Sequence, residues 1–176
     1  TTEDEATWKF DQPVIFLGEW CRLYDRKHIW EKMDSKVAKP YGLGKKNKDL
    51  DYHKIKSLEE KLFPEFYKIF NENFSTNYSQ RFWEIILGPW FREILQLLSN
   101  RINTLKECLS NEEISGTTLY HSDYCSLAIP SLRSSNYFFD NKKWNNVLNG
   151  RILDIIGKYK VTINFIEDKN SKYFYH

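Results

Sequence analysis

The chain has 176 residues, 41% of them apolar and 16% aromatic, a content that excludes a disordered tail or low-complexity linker. Its 26 basic and 24 acidic residues leave a net charge of only +2, too little to mark a nucleic-acid surface by charge. No run approaches the ~18 apolar residues of a membrane helix, and no basic segment followed by an apolar one marks a secretory signal.

Residues 1–12 are acidic and lead into Pro13, which reads as a leader before a single α/β domain over 13–176. The first residue is Thr1 rather than Met, so a trimmed start is expected. Val14-Ile15-Phe16-Leu17, closed by Gly18, is the short apolar run of a fully buried strand in a parallel sheet. Residues 19–34 are charged and aromatic, with room for one short helix. Residues 40–48 read as a loop from their Pro, Gly and Asn content. Two helical patterns fill the middle. Ile55, Leu58, Leu62, Phe66, Ile69, Phe70 and Phe74 recur at spacings of three and four, as do Trp83, Ile86, Leu87, Trp90, Ile94, Leu97, Leu98, Ile102, Leu105 and Leu109. Pro64 and Pro89 are expected to kink or split these helices, with a break at Gly88-Pro89. Ser79 is the start signal for the second helix. Residues 117–120 predict a strand, and 122–139 an irregular stretch with a helical turn at 126–129. Asp140 or Asn141 then caps a helix that stops at Gly157. The β-branched alternation of 160–166 predicts a last strand. Strands separated by helices give a helix-rich α/β fold with a mostly parallel sheet.

Charge is spread unevenly. Residues 1–21 hold one Lys against five acids, and 22–61 hold twelve Lys or Arg against seven acids. The basic stretch suits either a phosphate-bearing ligand or a solvated lysine-rich surface. Three cysteines without CxxC spacing argue against a disulfide framework or structural zinc and fit a reducing cytoplasm. No His, Cys, Asp or Glu cluster has metal-ligand spacing, so no metal site is expected. Gly42-Leu43-Gly44-Lys45-Lys46 lacks the spacing of a phosphate-binding loop and is read as a mobile basic loop.

Ligands of open α/β sheets bind beyond the carboxyl ends of the strands, which singles out Glu19, Trp20 and Arg22. Glu19 there is a candidate general base, Trp20 a stacking face and Arg22 a phosphate partner. The alternative is that Glu19 caps backbone donors and Trp20 packs in the core. Arg81, near a helix start, is a second candidate for an anion. Trp83 and Trp90 lie seven residues apart and are read as core. His121 and Asp123, after a predicted strand, make a candidate acid–base or substrate-binding pair, against a chance neighbouring. Cys21 is read as a buried thiol.

The FLGEWC run of Phe16 to Cys21, with Tyr24, resembles the opening of a family of bacterial transferases encoded with surface-polysaccharide (O-antigen) biosynthesis genes. The resemblance continues through Arg81, Trp83, Gly88, Pro89 and Trp90, and through Trp144-Asn145, with the acidic residue displaced to Asp140. It covers most of 13–157. It implies a Rossmann-like N-terminal lobe of a longer, two-lobed glycosyltransferase, placed on the acceptor side. It further implies a nucleotide-sugar donor as substrate, a glycan acceptor, no separate cofactor, no nucleic acid, and a cytoplasmic place with peripheral contact at the inner face of the membrane. The rival expectation is a non-catalytic glycan-binding or assembly module.

Overall fold

The computed structural model describes residues 1–123, 125–129, 131–157 and 161–167, apart from the side chains of Lys45, Lys46 and Leu132. Where the sequence predicts one domain over 13–176, the chain forms two compact units. One comprises residues 1–41 together with the chain from Arg101 onward; the other is Gly42–Asn100.

The first unit holds β1 (Val14–Phe16), α1 (Lys27–Trp30) and β2 (Ser35–Val37). β1 is the buried run that its sequence predicts, with Val14 and Phe16 inside. It pairs with β2 in parallel, Val14 against Ser35 and Phe16 against Val37. The short strand β2 follows the stretch 19–34, where one short helix was expected, in a segment assigned no element, and three-residue turns at Glu19–Cys21 and Tyr24–Arg26 precede α1. A parallel pair needs a long crossover, and residues 17–34 provide it.

The middle of the chain forms α2 (Lys45–Phe74) and α3 (Gln80–Asn111), and the last residues of α3, from Arg101, belong to the first unit. That unit continues with β3 (Gly116–Tyr120), α4 (Ser135–Phe139), α5 (Lys142–Ile156) and β4 (Thr162–Ile166). β3 and β4 confirm two predicted strands, and Lys160, the expected start of the last one, lies outside the described residues. α5 obeys its caps: the Asn141 side chain accepts from Trp144 N–H at 3.0 Å, and Gly157 turns left-handed at φ 53°.

β3 and β4 pair in parallel, Gly116 against Thr162 through Tyr120 against Ile166. The four described strands therefore form two separate two-stranded sheets, not the one larger sheet predicted. The reason lies at their other edges. On β1, Thr1 donates to Ile15 C=O at 2.7 Å, and its own C=O accepts from Leu17 N–H at 3.0 Å. On β3 the partner is a side chain: Asn146 Oδ1 accepts from Tyr120 N–H at 2.9 Å, and Nδ2 donates to Thr118 C=O at 3.1 Å. A carboxamide carries the same donor and acceptor as a peptide group, so it satisfies an edge as a strand would.

Residues 1–12 are not a separate leader. Thr2, Asp4, Thr7 and Trp8 are buried, and Trp8 packs edge-on against Phe16 at 5.3 Å in a core with Val14 and Cys21. Burying an indole removes a large apolar surface from water, which outweighs the acidity of its neighbours. Its N–H is satisfied by Thr2 C=O at 2.7 Å.

The second unit builds its own aromatic core from Phe63, Trp83, Leu87 and Phe91, with Phe66, Tyr67, Phe70, Trp90 and Leu95 packed against it. Ser79 Oγ accepts from Phe82 N–H at 3.2 Å, the expected cap. Asn71 closes the turn between the helices: its Oδ1 accepts from Trp83 Nε1 and Tyr78 N–H, each at 3.0 Å, and its Nδ2 donates to Tyr78 C=O at 2.9 Å. Neither proline ends a helix. α2 runs through Pro64 and α3 through Gly88-Pro89, because aromatic packing on both sides of each proline holds the chain helical and offsets one lost backbone bond. α2 also begins at Lys45, inside the segment read as a loop, directly after Gly44 at φ 96°. Among the described residues no helix is long and apolar enough to cross a membrane.

Candidate functional site

The carboxyl ends of β1 and β3 carry most of the chemistry-bearing residues singled out by the sequence. Immediately after β1, Gly18 is buried against the Trp20 indole; a Cβ at this position would lie 2.4 Å from Trp20 Nε1. Glycine is therefore what lets the turn Glu19–Cys21 fold back so tightly. Glu19 projects outward with its side chain 78% exposed, 3.6 Å from the Arg22 guanidinium. Arg22 is tied down: its Cζ lies 4.2 Å from the centre of the Trp30 ring, and its Nε is buried without a hydrogen-bond partner among the described residues. Trp20 is 41% exposed and so presents part of a ring face rather than filling the core.

Beyond β3, His121 stacks on Phe165 at 4.8 Å and has its Nε2 3.7 Å from Glu167 Oε1. Asp123 does not face it as an acid–base partner. The Asp123 carboxylate folds its own loop, accepting from Cys125 N–H at 2.9 Å and Ser126 Oγ at 2.8 Å, while its C=O accepts from Arg151 at 3.0 Å. Arg81 belongs to the second unit, exposed and 3.5 Å from Glu84 one turn along α3.

A second set of polar residues gathers on the first unit, and the sequence reading passed over it. Arg101, near the C-terminal part of α3, lies 5.1 Å from the centre of the Trp20 ring, within cation–π range. Its Nε donates to Asn145 Oδ1 at 3.2 Å, and Asn145 is itself 2% exposed, with its Nδ2 donating to Phe139 C=O at 2.8 Å and Asn141 C=O at 3.0 Å. No carboxylate stands within ion-pair distance of Arg101 among the described residues. Glu3 is the nearest influence of opposite sign: burial pushes the Arg101 guanidinium down, and Glu3 pushes it back up. Burial likewise raises the Glu3 carboxyl, against its backbone hydrogen bond and the pull of Arg101, and Glu3 Oε2 is buried without a partner among the described residues. Asp4 completes the group by accepting from Tyr120 O–H at 2.7 Å, both residues buried. That bond ties the residues before β1 to the carboxyl end of β3.

Between the two sheets lies a cleft of about 170 Å³, walled by Val14 and Ile15 on one side and by Gly116 to Leu119 on the other. Two of its lining residues, Thr2 and Asn149, each bury a side-chain oxygen that has no hydrogen-bond partner among the described residues. The cleft is larger than one water molecule needs. Among the described residues no three His, Cys, Asp or Glu side chains come together as a metal site would require. Burial pushes the Cys21 thiol up to about 12 and raises Cys108 as well, so neither is poised as a nucleophile.

The signal for the missed set was present but weak. Asn145, Asn146 and Asn149 fall among the buried positions of α5, and amides on an apolar helix face are buried only when bonded. Glu3 and Asp4 precede a tryptophan that had to be covered. Arg101 gave no signal, because a lone arginine in an amphipathic helix looks like a solvated residue.

The described strands pair in parallel within a helix-rich α/β chain, and charged, aromatic and amide groups lie at their carboxyl ends. The chain belongs to the LIC12162 family of transferases, whose family model matches residues 1–175. No curated protein and no solved structure matches it significantly.

Proposed function

We propose that this transferase moves a glycosyl group from a nucleotide-sugar donor to a glycan acceptor of a bacterial surface polysaccharide, and that this chain supplies the acceptor side. The observation that carries the reading is the turn after β1. There an open carboxylate, Glu19, stands beside an exposed indole face, Trp20, at the strand end where α/β proteins take ligands. Trp20 stacks on the apolar face of a sugar ring. Glu19 takes the proton of an acceptor hydroxyl as that oxygen bonds to the anomeric carbon, and the bond from that carbon to the donor's phosphate oxygen breaks, its electron pair leaving with the nucleotide. Arg22 lies 3.6 Å from Glu19. His121 and Asp123 border the acceptor from the end of β3; Arg81, in the second unit, is a separate candidate for an anion. The protein acts at the cytoplasmic face of the membrane, where lipid-linked acceptors are exposed.

The test is Glu19→Gln in the natural protein, with product formation followed by mass spectrometry. Loss of a general base costs about 10²–10⁴ in rate, so turnover is expected to fall at least a hundredfold while acceptor binding is kept. Turnover within twofold of the parent removes Glu19 from the role. Acceptor binding with no transfer by the parent protein, whatever donor is offered, would instead make it a glycan-binding module.

A further inference from the structure

Arg101 is a strong hydrogen-bonding group near the strand ends whose terminal donors are uncommitted among the described residues. A guanidinium offers five N–H donors in a flat fork, and only its Nε is engaged, by Asn145. Neither terminal nitrogen has a hydrogen-bond partner, and no carboxylate lies within ion-pair distance, among the described residues. Three further features make this an organised group rather than a stray surface arginine. Asn145 is fixed by two backbone carbonyls, so its Oδ1 holds the guanidinium in one orientation. The Trp20 ring lies under the guanidinium carbon at 5.1 Å and limits its swing. The largest effect of a neighbouring charge on the Arg101 guanidinium comes from Glu3.

We propose that Trp20, Arg101 and Asn145 form a binding site for a sugar that bears an oxyanion. The fork of Arg101 receives the oxyanion through two parallel N–H bonds, the geometry that guanidinium shares with phosphate and carboxylate. Trp20 covers one face of the ring, which selects an oxyanion carried on a sugar over a bare anion. The site rests on the glycosyl-transfer reading only for its purpose; its chemistry stands on these residues alone.

The experiment is calorimetric titration of the whole chain with glucose 1-phosphate, glucuronate, glucose and inorganic phosphate. In parallel, the side-chain Nε–H resonance of Arg101 is followed by NMR in the unmutated protein. An oxyanion-bearing sugar is expected to bind in the millimolar range or tighter, to shift the Arg101 resonance, and to bind at least tenfold more tightly than glucose or free phosphate. Whether the phosphate or the carboxylate sugar binds better identifies the oxyanion. Arg101→Met is expected to lose tenfold or more and Arg101→Lys to recover part of it. The NMR measurement keeps the test decisive even if Arg101→Met unfolds. An Arg101 resonance unmoved by every ligand, or glucose binding as tightly as its phosphate, overturns the site. Sugar-phosphate binding without glycosyl transfer upholds the site and overturns the transfer reading; transfer without this binding does the reverse.

Discussion

Asn146 gives the sharpest test of how the first unit is held together. It is 4% exposed, and its carboxamide closes the free edge of β3 with one bond to Tyr120 N–H at 2.9 Å and one to Thr118 C=O at 3.1 Å. Asn146→Leu keeps the branching and the number of side-chain heavy atoms and leaves both backbone groups buried without partners. Each stranded group costs about 1–3 kcal/mol, so the pair costs about 2–6 kcal/mol, from which leucine's apolar burial takes back about 1–2 kcal/mol. A net loss of about 3 kcal/mol corresponds to roughly 6–12 °C in a protein of this size. Asn146→Asp separates the two bonds. Ionised aspartate still accepts from Tyr120 N–H but sets a lone pair against Thr118 C=O; protonated, it donates to that carbonyl as asparagine does. The folded-state pKa of this aspartate would be raised. The variant's stability therefore approaches that of the parent in acid and falls away as the pH rises through that value. Urea denaturation at pH 4 and pH 7, with hydrogen exchange at the Tyr120 amide as the local readout, measures both effects. Asn146→Leu within about 0.5 kcal/mol of the parent, the range of an ordinary surface change, would refute the edge-closing role.

Burial raises Glu3, so the folded chain resists ionising it, and Glu3→Gln is expected to match the parent in acid and to exceed it in stability near neutral pH. Urea midpoints at pH 4 and 7 check this, and a parent more stable than the variant at pH 7 contradicts it. Cys125 is exposed whereas Cys21 and Cys108 are buried, with Cys21 pushed up to about 12, so a thiol reagent at pH 8 should modify Cys125 alone until denaturant is added. Mass spectrometry of the labelled peptides counts the sites, and early labelling of Cys21 would show that the core around Phe16 opens readily.

Those parts of the fold decided by short-range chemistry were legible in the sequence. The apolar run of β1, the Ser79 and Asn141 caps and the Gly157 stop each depend on a few adjacent residues. The prolines misled because their effect is set at long range. Pro64 follows Phe63 and precedes Phe66, both packed on Phe91, and no local rule weighs that packing against one missing hydrogen bond. The acidic leader misled for the same reason, since Trp8 finds its place only once Phe16 is folded beside it. The site divides along similar lines. Glu19 and Trp20 were visible because a buried strand announces its own end. Arg101 and Asn145 stand 44 residues apart in sequence and meet only in space.

The two carboxylates near the strand ends differ in exposure. Glu19 is exposed, with the Arg22 guanidinium 3.6 Å away, and is open to solvent or to a bound hydroxyl. Glu3 is half-buried, and its Oε2 is enclosed and lacks a hydrogen bond among the described residues. Arg101 does not supply that bond, because its engaged nitrogen is turned to Asn145. The open fork of Arg101 is the group that a ligand oxyanion would fill. Desolvation costs already borne by the free protein would not be incurred again on binding. A site of this kind gains affinity from donors that are half-buried and held in place before the ligand arrives, as those of Arg101 are by Asn145 and Trp20.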